Sequence, residues 1–483
     1  MKRAAVVIGG GVNELVAAHY LARAGHEVTL VREGTAPADD AFETGWITPG
    51  IVRDLGLDRE GLLVRQPDPW ALVWPEAFAL ELTRDVAASA RAIARLSPAD
   101  GAKWGAFCAR MHALARVLES LYTAPPPDPV DGSKAGLVST ALRVRRLGRR
   151  GMEDLFRLLP MSAADFLDEW FENDALKGVL GAAAVMNLRQ GPRSGGTAFN
   201  LLHHHVGSPP GVFRPPISNL RAVLTRRAGI AIRAGAVTRI DVREGRAAAV
   251  VLDGGEEIAA SLVVSGLAPA RTLLELVDPA WLDPQLVRSI RNIRSRGPSA
   301  RISLTLDRDP RFTTLVVAPS LDYLERAYDH VKYGRVSTAP YLEARNLGEA
   351  GPQRFRVELH VQYVPYRLAE GAWDTARAEK LARDALARLS EVVPGLSASV
   401  VGQQVLTPED LDHIHGYPEG QEYHAELALD QVLWMRPVPA LAQYRTPIEG
   451  LYLCGPAMHP GGGIAGAAGA NAAGVVLRGL RRG

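Results

Sequence analysis

A short apolar run that breaks on three consecutive glycines constrains this chain more than any other feature in it. Ala4-Ala5-Val6-Val7-Ile8 is followed by Gly9-Gly10-Gly11, then by an alanine-rich stretch from Val12 to Ala24. Gly25 stops that stretch, and Val28-Thr29-Leu30-Val31 is a second apolar run. Strand, glycine turn, helix and strand within about 30 residues make one βαβ unit. In such a unit Gly9 permits a tight turn and Gly11 lets backbone approach a pyrophosphate. The following helix points its positive N-terminus at the phosphates. A third glycine normally stands three residues after the second, and here that residue is Glu14. Two readings stay open. Glu14 turns outward and a dinucleotide still binds, or its bulk and charge oppose the phosphates.

The ribose contact is altered as well. An acidic residue at the end of the second strand usually bonds the ribose hydroxyls. That place holds Arg32, with Glu33 one step later. The arginine could favour a 2′-phosphate, Glu33 could reach the ribose after a small register shift, or no ribose is bound.

With 483 residues the chain has length for two or three domains. A net charge of +2 gives no field that would argue for nucleic acid. Two distant cysteines, Cys108 and Cys454, suit a reducing cytoplasm and exclude a disulfide framework or a cysteine metal site. The apolar start runs into glycine too soon for a signal peptide and reads as a buried strand. No apolar run reaches the length of a membrane span.

Leu80 to Tyr122 reads as helices, Ala124 to Pro129 as a stiff linker, and the chain beyond it as more helices to about Val206. Ile230 to Val264 suggests short strands with a turn at Asp253-Gly254-Gly255. Ser299 to Leu306 and Phe355 to Val364 alternate like strands of a second sheet, and Trp373 to Val392 has helical spacing. Leu451 to Leu480 repeats the opening theme of strand, glycine turn and alanine-rich helix. The chain therefore returns to complete its nucleotide domain.

The stretch Tyr423-His424-Ala425-Glu426-Leu427 runs on through Asp430-Gln431 to Met435-Arg436-Pro437, Tyr444-Arg445-Thr446-Pro447-Ile448 and the Gly450 to Gly466 block. It resembles the C-terminal part of the phytoene-desaturase-like FAD oxidoreductases, in the branch near the pyridine-nucleotide-disulfide-oxidoreductase-domain-containing proteins. Gly235-Ala236-Val237 through Ala259, and Val263 to Pro269, are similar to that family's second FAD-contacting segment. Ile47 to Leu55 and Leu201 to His204 also look familiar, and the likeness covers nearly the whole chain.

That resemblance implies an α/β fold: a Rossmann-type FAD/NAD(P)-binding domain and a second α+β substrate domain. The first would take residues 1–75, 211–298 and 440–483; the second, 76–210 and 299–439. FAD would lie against Gly9, Gly11, Glu33, Val237, Gly455, Gly462, Gly463 and Ile464, with the backbone of Val237 at the adenine. His424, Glu426 and Arg436 would face a mostly apolar or amine- or alkene-bearing small molecule. The flavin takes or gives hydride and the protein positions the substrate. The chain departs from the family at Glu14 and Arg32, in the Gly34 to Phe42 stretch, which lacks the family's glycine pair, and at Pro215-Pro216, where a second glycine pair is missing.

Those departures motivate an alternative: the same fold without flavin, running an acid–base isomerisation, elimination or condensation with His424 and Glu426 as proton carriers. A non-catalytic scaffold is a third reading. If Tyr423 to Leu427 is a strand, His424 and Glu426 share one face. His203-His204-His205 cannot all ligate one ion from consecutive helix positions, so no metal is expected. Arg143 to Arg150 is a basic cluster, either a solvated face or a contact for an anionic membrane or acidic partner. A homodimer is compatible with all of this.

Overall fold

The computed structural model describes residues 3–33, 43–73, 79–128, 138, 141–142, 145, 147–349 and 351–481. The Gly34 to Phe42 stretch, Arg143 and Arg146 lie outside the described residues.

The opening unit forms as its pattern requires. Strand β1 (Ala4–Ile8) leads through the glycines into helix α1 (Val12–Arg23), and the chain returns as β2 (Glu27–Arg32). The turn at Gly25 has φ +91°, a left-handed conformation that glycine adopts without strain. β1 and β2 pair in parallel, Ala4 opposite Glu27 through Ile8 opposite Val31.

Three more strands join that sheet from far along the chain: β3 (Ala231–Ala234), β4 (Leu262–Ser265) and β5 (Leu451–Leu453). All pairings are parallel, in the order β5-β4-β1-β2-β3. β1 and β4 are buried on both faces, which is why they read as unbroken apolar runs. Helix α2 (Ala467–Leu480) packs beside α1, and Gly469 lies so close to Asn13 that a Cβ there would overlap its carbonyl.

A second, seven-stranded sheet carries Ser299–Leu306, Thr314–Val317, Tyr341–Glu349, Phe355–Gln362 and Val400–Leu406, with Ala71–Val73 and Leu80–Leu82 at one edge. Ala71–Val73 pairs in parallel with Thr314–Val317, so the chain has joined the second sheet by Ala71, before the expected boundary at 75. Leu381, Ala382, Ala385 and Leu389 of the helix Thr375–Val392 belong to this sheet's apolar core.

The segment between the sheets is helical: Val86–Ala94, Pro98–Tyr122, Gly148–Leu158, Ala163–Trp170, Asp174–Val185 and Thr197–His205. Its core is aromatic, built on Trp70, Trp104, Phe107, Phe171 and Phe213. Asp100, fully buried, ties it together by accepting hydrogen bonds from the amides of Glu172 (3.0 Å) and Asn173 (2.7 Å).

One local expectation fails. Tyr423 to Leu427 is a series of turns, not a strand. His424 sits at φ +55°, and its amide donates back to Gln421 O (2.9 Å). The strand alternation that would put His424 and Glu426 on one face is therefore absent.

Candidate functional site: a filled dinucleotide cradle

The carboxyl ends of the parallel strands converge on Gly9–Gly11, Gly266 and Gly455, the place where an open α/β sheet binds ligands. Backbones approach closely there: a Cβ on Gly455 would land on the Gly266 carbonyl. The gap between the β1 loop and the end of β4 is nevertheless occupied. Glu14, only 4% exposed, turns inward. A Cβ on Gly9 would sit 2.9 Å from its Cγ, one on Gly11 would sit 2.5 Å from its Oε2, and one on Gly266 would fall on its Oε1. The carboxyl group is thus wedged among three glycines. Burial pushes its pKa up to about 7, against the opposing pull of hydrogen bonds from its own amide and that of Gly11. The outward reading of Glu14 is therefore corrected: its side chain turns in and occupies the space beside the helix N-terminus where a phosphate would lie.

The ribose side is likewise taken. Arg32 lies against the loop, with its Cβ 3.1 Å from where a Gly10 Cβ would be. Its Nε has no hydrogen-bond partner among the described residues. Both carboxylate oxygens of Glu33 accept from Arg271 Nη2 (2.6 and 2.8 Å), so the expected ribose acceptor is already engaged. Val237 is buried at the start of the strand Val237–Arg243, two residues past Gly235, whose amide donates to Arg32 O (3.0 Å).

The C-terminal turn is walled in by side chains. A Cβ on Gly462 would land on the Tyr423 ring, and one on Gly207 would land on the Trp46 ring. Trp46 N donates to Gly463 O (2.9 Å), and Ile464 pairs with Trp46 in a short parallel ladder. His203 Nε2 reaches Gly462 O (2.7 Å), so that nitrogen carries the proton, and Nδ1 accepts from the Tyr122 hydroxyl (2.8 Å). Two clefts of about 590 and 520 Å³ lie along Pro49, Val52 and Arg53 and beside Tyr122 to Pro125. Neither is lined by Gly9–Glu14 or by Gly461–Gly463.

The three residues expected to face substrate are placed differently. Arg436 is fully buried, and its guanidinium donates to six backbone carbonyls, those of Tyr423, Ala425, Glu426, Gln431, Pro456 and Met458. No N–H is left for a substrate, so its expected place at the substrate is corrected to a staple between two loops. Glu426, also fully buried, accepts from Arg296 Nε (2.7 Å) and Nη2 (3.1 Å). His424 is buried, its Nδ1 has no partner among the described residues, and burial first, then the Arg436 charge, lowers its pKa to about 3.

A polar centre that sequence reasoning missed stands near the same glycine turn. Glu343 accepts from Arg214 Nε (2.8 Å), Tyr341 Oη (2.8 Å) and Arg345 Nη2 (2.6 Å), and Arg214 and Glu343 are each 1% exposed. Burial works against the Glu343 anion, but the two arginines overcome it and hold its pKa at about 2. His204 feels the charges of this group. Its Nδ1 donates to Ala183 O (2.8 Å), and its Nε2 has no partner among the described residues. Arg214 and Glu343 are 129 residues apart, so no local motif could have joined them. His205 bonds Val212 O (2.7 Å), so each of the three consecutive imidazoles serves a different carbonyl. Of the basic cluster, Arg145, Arg149 and Arg150 are exposed, and Arg149 pairs with Glu153 (2.8 Å).

The chain is 31% identical to the rat pyridine nucleotide-disulfide oxidoreductase domain-containing protein 2 across 99% of its own length and 94% of the relative's. It belongs to that family. The hydroxyneurosporene desaturase of Rubrivivax gelatinosus is 25% identical over 95% of the chain and 90% of that enzyme. Among solved structures, a putrescine oxidase bound to putrescine superposes with a TM-score of 0.62 at 14% identity, covering all of both chains. That likeness shows the amine-oxidase fold, a Rossmann-type α/β unit with a second domain. No family model matches the chain.

Related oxidoreductases and amine oxidases are FAD-dependent. Within the pyridine nucleotide-disulfide oxidoreductase domain-containing protein 2 family, this member's residues as they stand do not fit an extended dinucleotide. The pyrophosphate cradle of Gly9 and Gly11 holds Glu14, Glu33 is bonded to Arg271, and Tyr423 covers Gly462.

Proposed function

We propose that this chain is an oxidoreductase of the phytoene-desaturase-like group, acting on a mostly apolar small molecule that carries an alkene or an amine. The end-to-end likeness at 31% identity carries the reading. The chain's own part is positional. Tyr423 and Trp46 supply apolar walls at the glycine turn, while Arg214, Glu343 and His204 fix charge and hydrogen-bond direction next to it. An amine or hydroxyl donor would find the neutral His204 Nε2 as acceptor. No chemical step is routed through FAD, because the cradle is filled.

The deciding measurement is the absorption spectrum of freshly purified protein, before and after incubation with FAD and gel filtration. Co-eluting flavin absorption supports the flavin-dependent form of the reading and requires Glu14 to leave the cradle. A folded, colourless protein that acquires none overturns the flavin-dependent form of the reading. A flavin-free acid–base reaction is favoured by one observation, the inward Glu14. His424, whose Nδ1 has no partner among the described residues, is then the candidate proton carrier, because Glu426 is bound to Arg296. Unchanged turnover in His424→Ala would remove it from that role.

A further inference from the structure

We infer that Glu14 is an intramolecular ligand of the dinucleotide cradle, filling the pyrophosphate position with its own carboxyl group and excluding FAD until that side chain is removed or displaced. The inference rests on the family assignment and on geometry, and it holds or fails separately from the redox reading.

Four observations converge on it. The carboxyl group lies over Gly9, Gly11 and Gly266 at once, the three positions whose lack of a side chain lets something approach the loop. It sits at the N-terminus of the twelve-residue helix α1, where amides face outward and favour an anion. The amides of Gly11 and Glu14 are directed at it, so the donors that would hold a phosphate oxygen are in use. Beside it, the Arg32 side chain lies on Gly10 with its Nε unpartnered among the described residues. Apart from Arg32, the site has the form of a phosphate cradle already filled by the chain's own carboxyl group. A dinucleotide arriving there would have to expel a buried side chain, break its two backbone hydrogen bonds and place phosphate where the carboxylate was.

Bulk and charge both contribute, and they separate experimentally. Glu14→Gly restores the third glycine and empties the cradle. Glu14→Gln keeps the volume and removes the charge. FAD is titrated into each protein with quenching of flavin fluorescence as the readout, and the thermal unfolding midpoint is measured in parallel with and without FAD. The expected result is saturable binding by Glu14→Gly at least about a hundredfold tighter than wild type, a rise in its unfolding midpoint with FAD, and weak binding by Glu14→Gln. Equal, tight binding by wild type and Glu14→Gly overturns the inference and leaves the flavin reading intact. Binding by Glu14→Gly alone supports it and refutes flavin dependence of the wild-type chain. If neither binds while both unfold cooperatively, the inference is overturned, because the cradle is then lost for reasons other than Glu14. Should Glu14→Gly fail to fold, Glu14→Ala, which keeps helix propensity, takes its place with the same outcomes.

Discussion

Replacing Glu14 with glutamine tests the buried carboxyl through stability alone, with no ligand. A carboxyl group at about 7 in the folded chain and 4.5 when exposed binds its proton more tightly in the folded state. The folded state is therefore favoured most below pH 4.5, loses stability as pH rises from 4.5 to about 7, and changes no further above that. That gap corresponds to about 3 kcal/mol, with the full figure applicable because the group is buried. Glu14→Gln cannot lose it. The glutamine still accepts from the Gly11 amide, but its NH2 gains no obvious acceptor, which costs about 1 kcal/mol. The variant should thus be the less stable protein by about 1 kcal/mol at pH 4, nearly equal to wild type close to pH 5, and the more stable by about 2 kcal/mol at pH 8. Urea unfolding followed by tryptophan fluorescence at pH 4, 5, 6, 7 and 8 measures both proteins. Other titrating groups are common to the pair and cancel in the difference. Parallel curves with no crossing would refute the placement of Glu14 inside the cradle.

Gly266→Ala should be strongly destabilising because its Cβ would fall on Glu14 Oε1, and the cost should shrink by about 1–3 kcal/mol in a Glu14→Ala background; a double-mutant cycle showing additivity would contradict the contact. Arg436→Ala should cost more than about 4 kcal/mol by stripping six carbonyls of their donor, and Arg436→Lys should recover only part; a lysine variant with the wild-type unfolding midpoint and altered turnover would return Arg436 to the substrate. Asp100→Asn should lose about 2 kcal/mol in urea unfolding, since an amide NH2 would face the Glu172 or Asn173 amide. His203 and His424, lowered to about 3, and His204 and His459, lowered to about 4, are all buried and neutral. Their contribution is present above pH 6.5 and lost as pH falls toward 4, so urea midpoints should drop steeply across that window; a flat profile would show that they are solvated.

The parts of the fold that were legible in the sequence are those whose information is local. The βαβ unit announces itself because Gly9, Gly11 and Gly25 punctuate two runs with different periods, and the strands Ser299–Leu306 and Phe355–Gln362 because burial alternates along them. The final glycine turn and α2 mirror the opening for the same reason. Tyr423 to Leu427 misled, because its residue types suit a strand while its backbone is held by non-local bonds from Arg436 and Ser295. Glu14 was visible as a misfit, but its direction was not: whether it turns in depends on Gly266, more than 250 residues away. The Arg214–Glu343–Tyr341 centre is assembled entirely by tertiary contact.

The departures from a dinucleotide site also fit one another. A cradle that had merely lost its ligand would keep amides without acceptors and glycines facing empty space, both of which destabilise a folded chain. Here the carboxylate of Glu14 takes the helix amides, Arg271 takes Glu33, and Tyr423 and Trp46 rest on Gly462 and Gly207. Each position a cofactor would satisfy is satisfied by a side chain whose partner is also changed or engaged. The exception is Arg32, whose Nε has no partner among the described residues. The Arg32 side chain, which lies over Gly10 of the same loop, is what an anion would meet after Glu14 moves. Phosphate binding to Glu14→Gly should therefore depend on Arg32 and weaken with salt, and Glu14→Gly combined with Arg32→Ala should lose most of the affinity that the single substitution gains. Retention of that affinity in the double variant would show that the helix amides alone hold the anion.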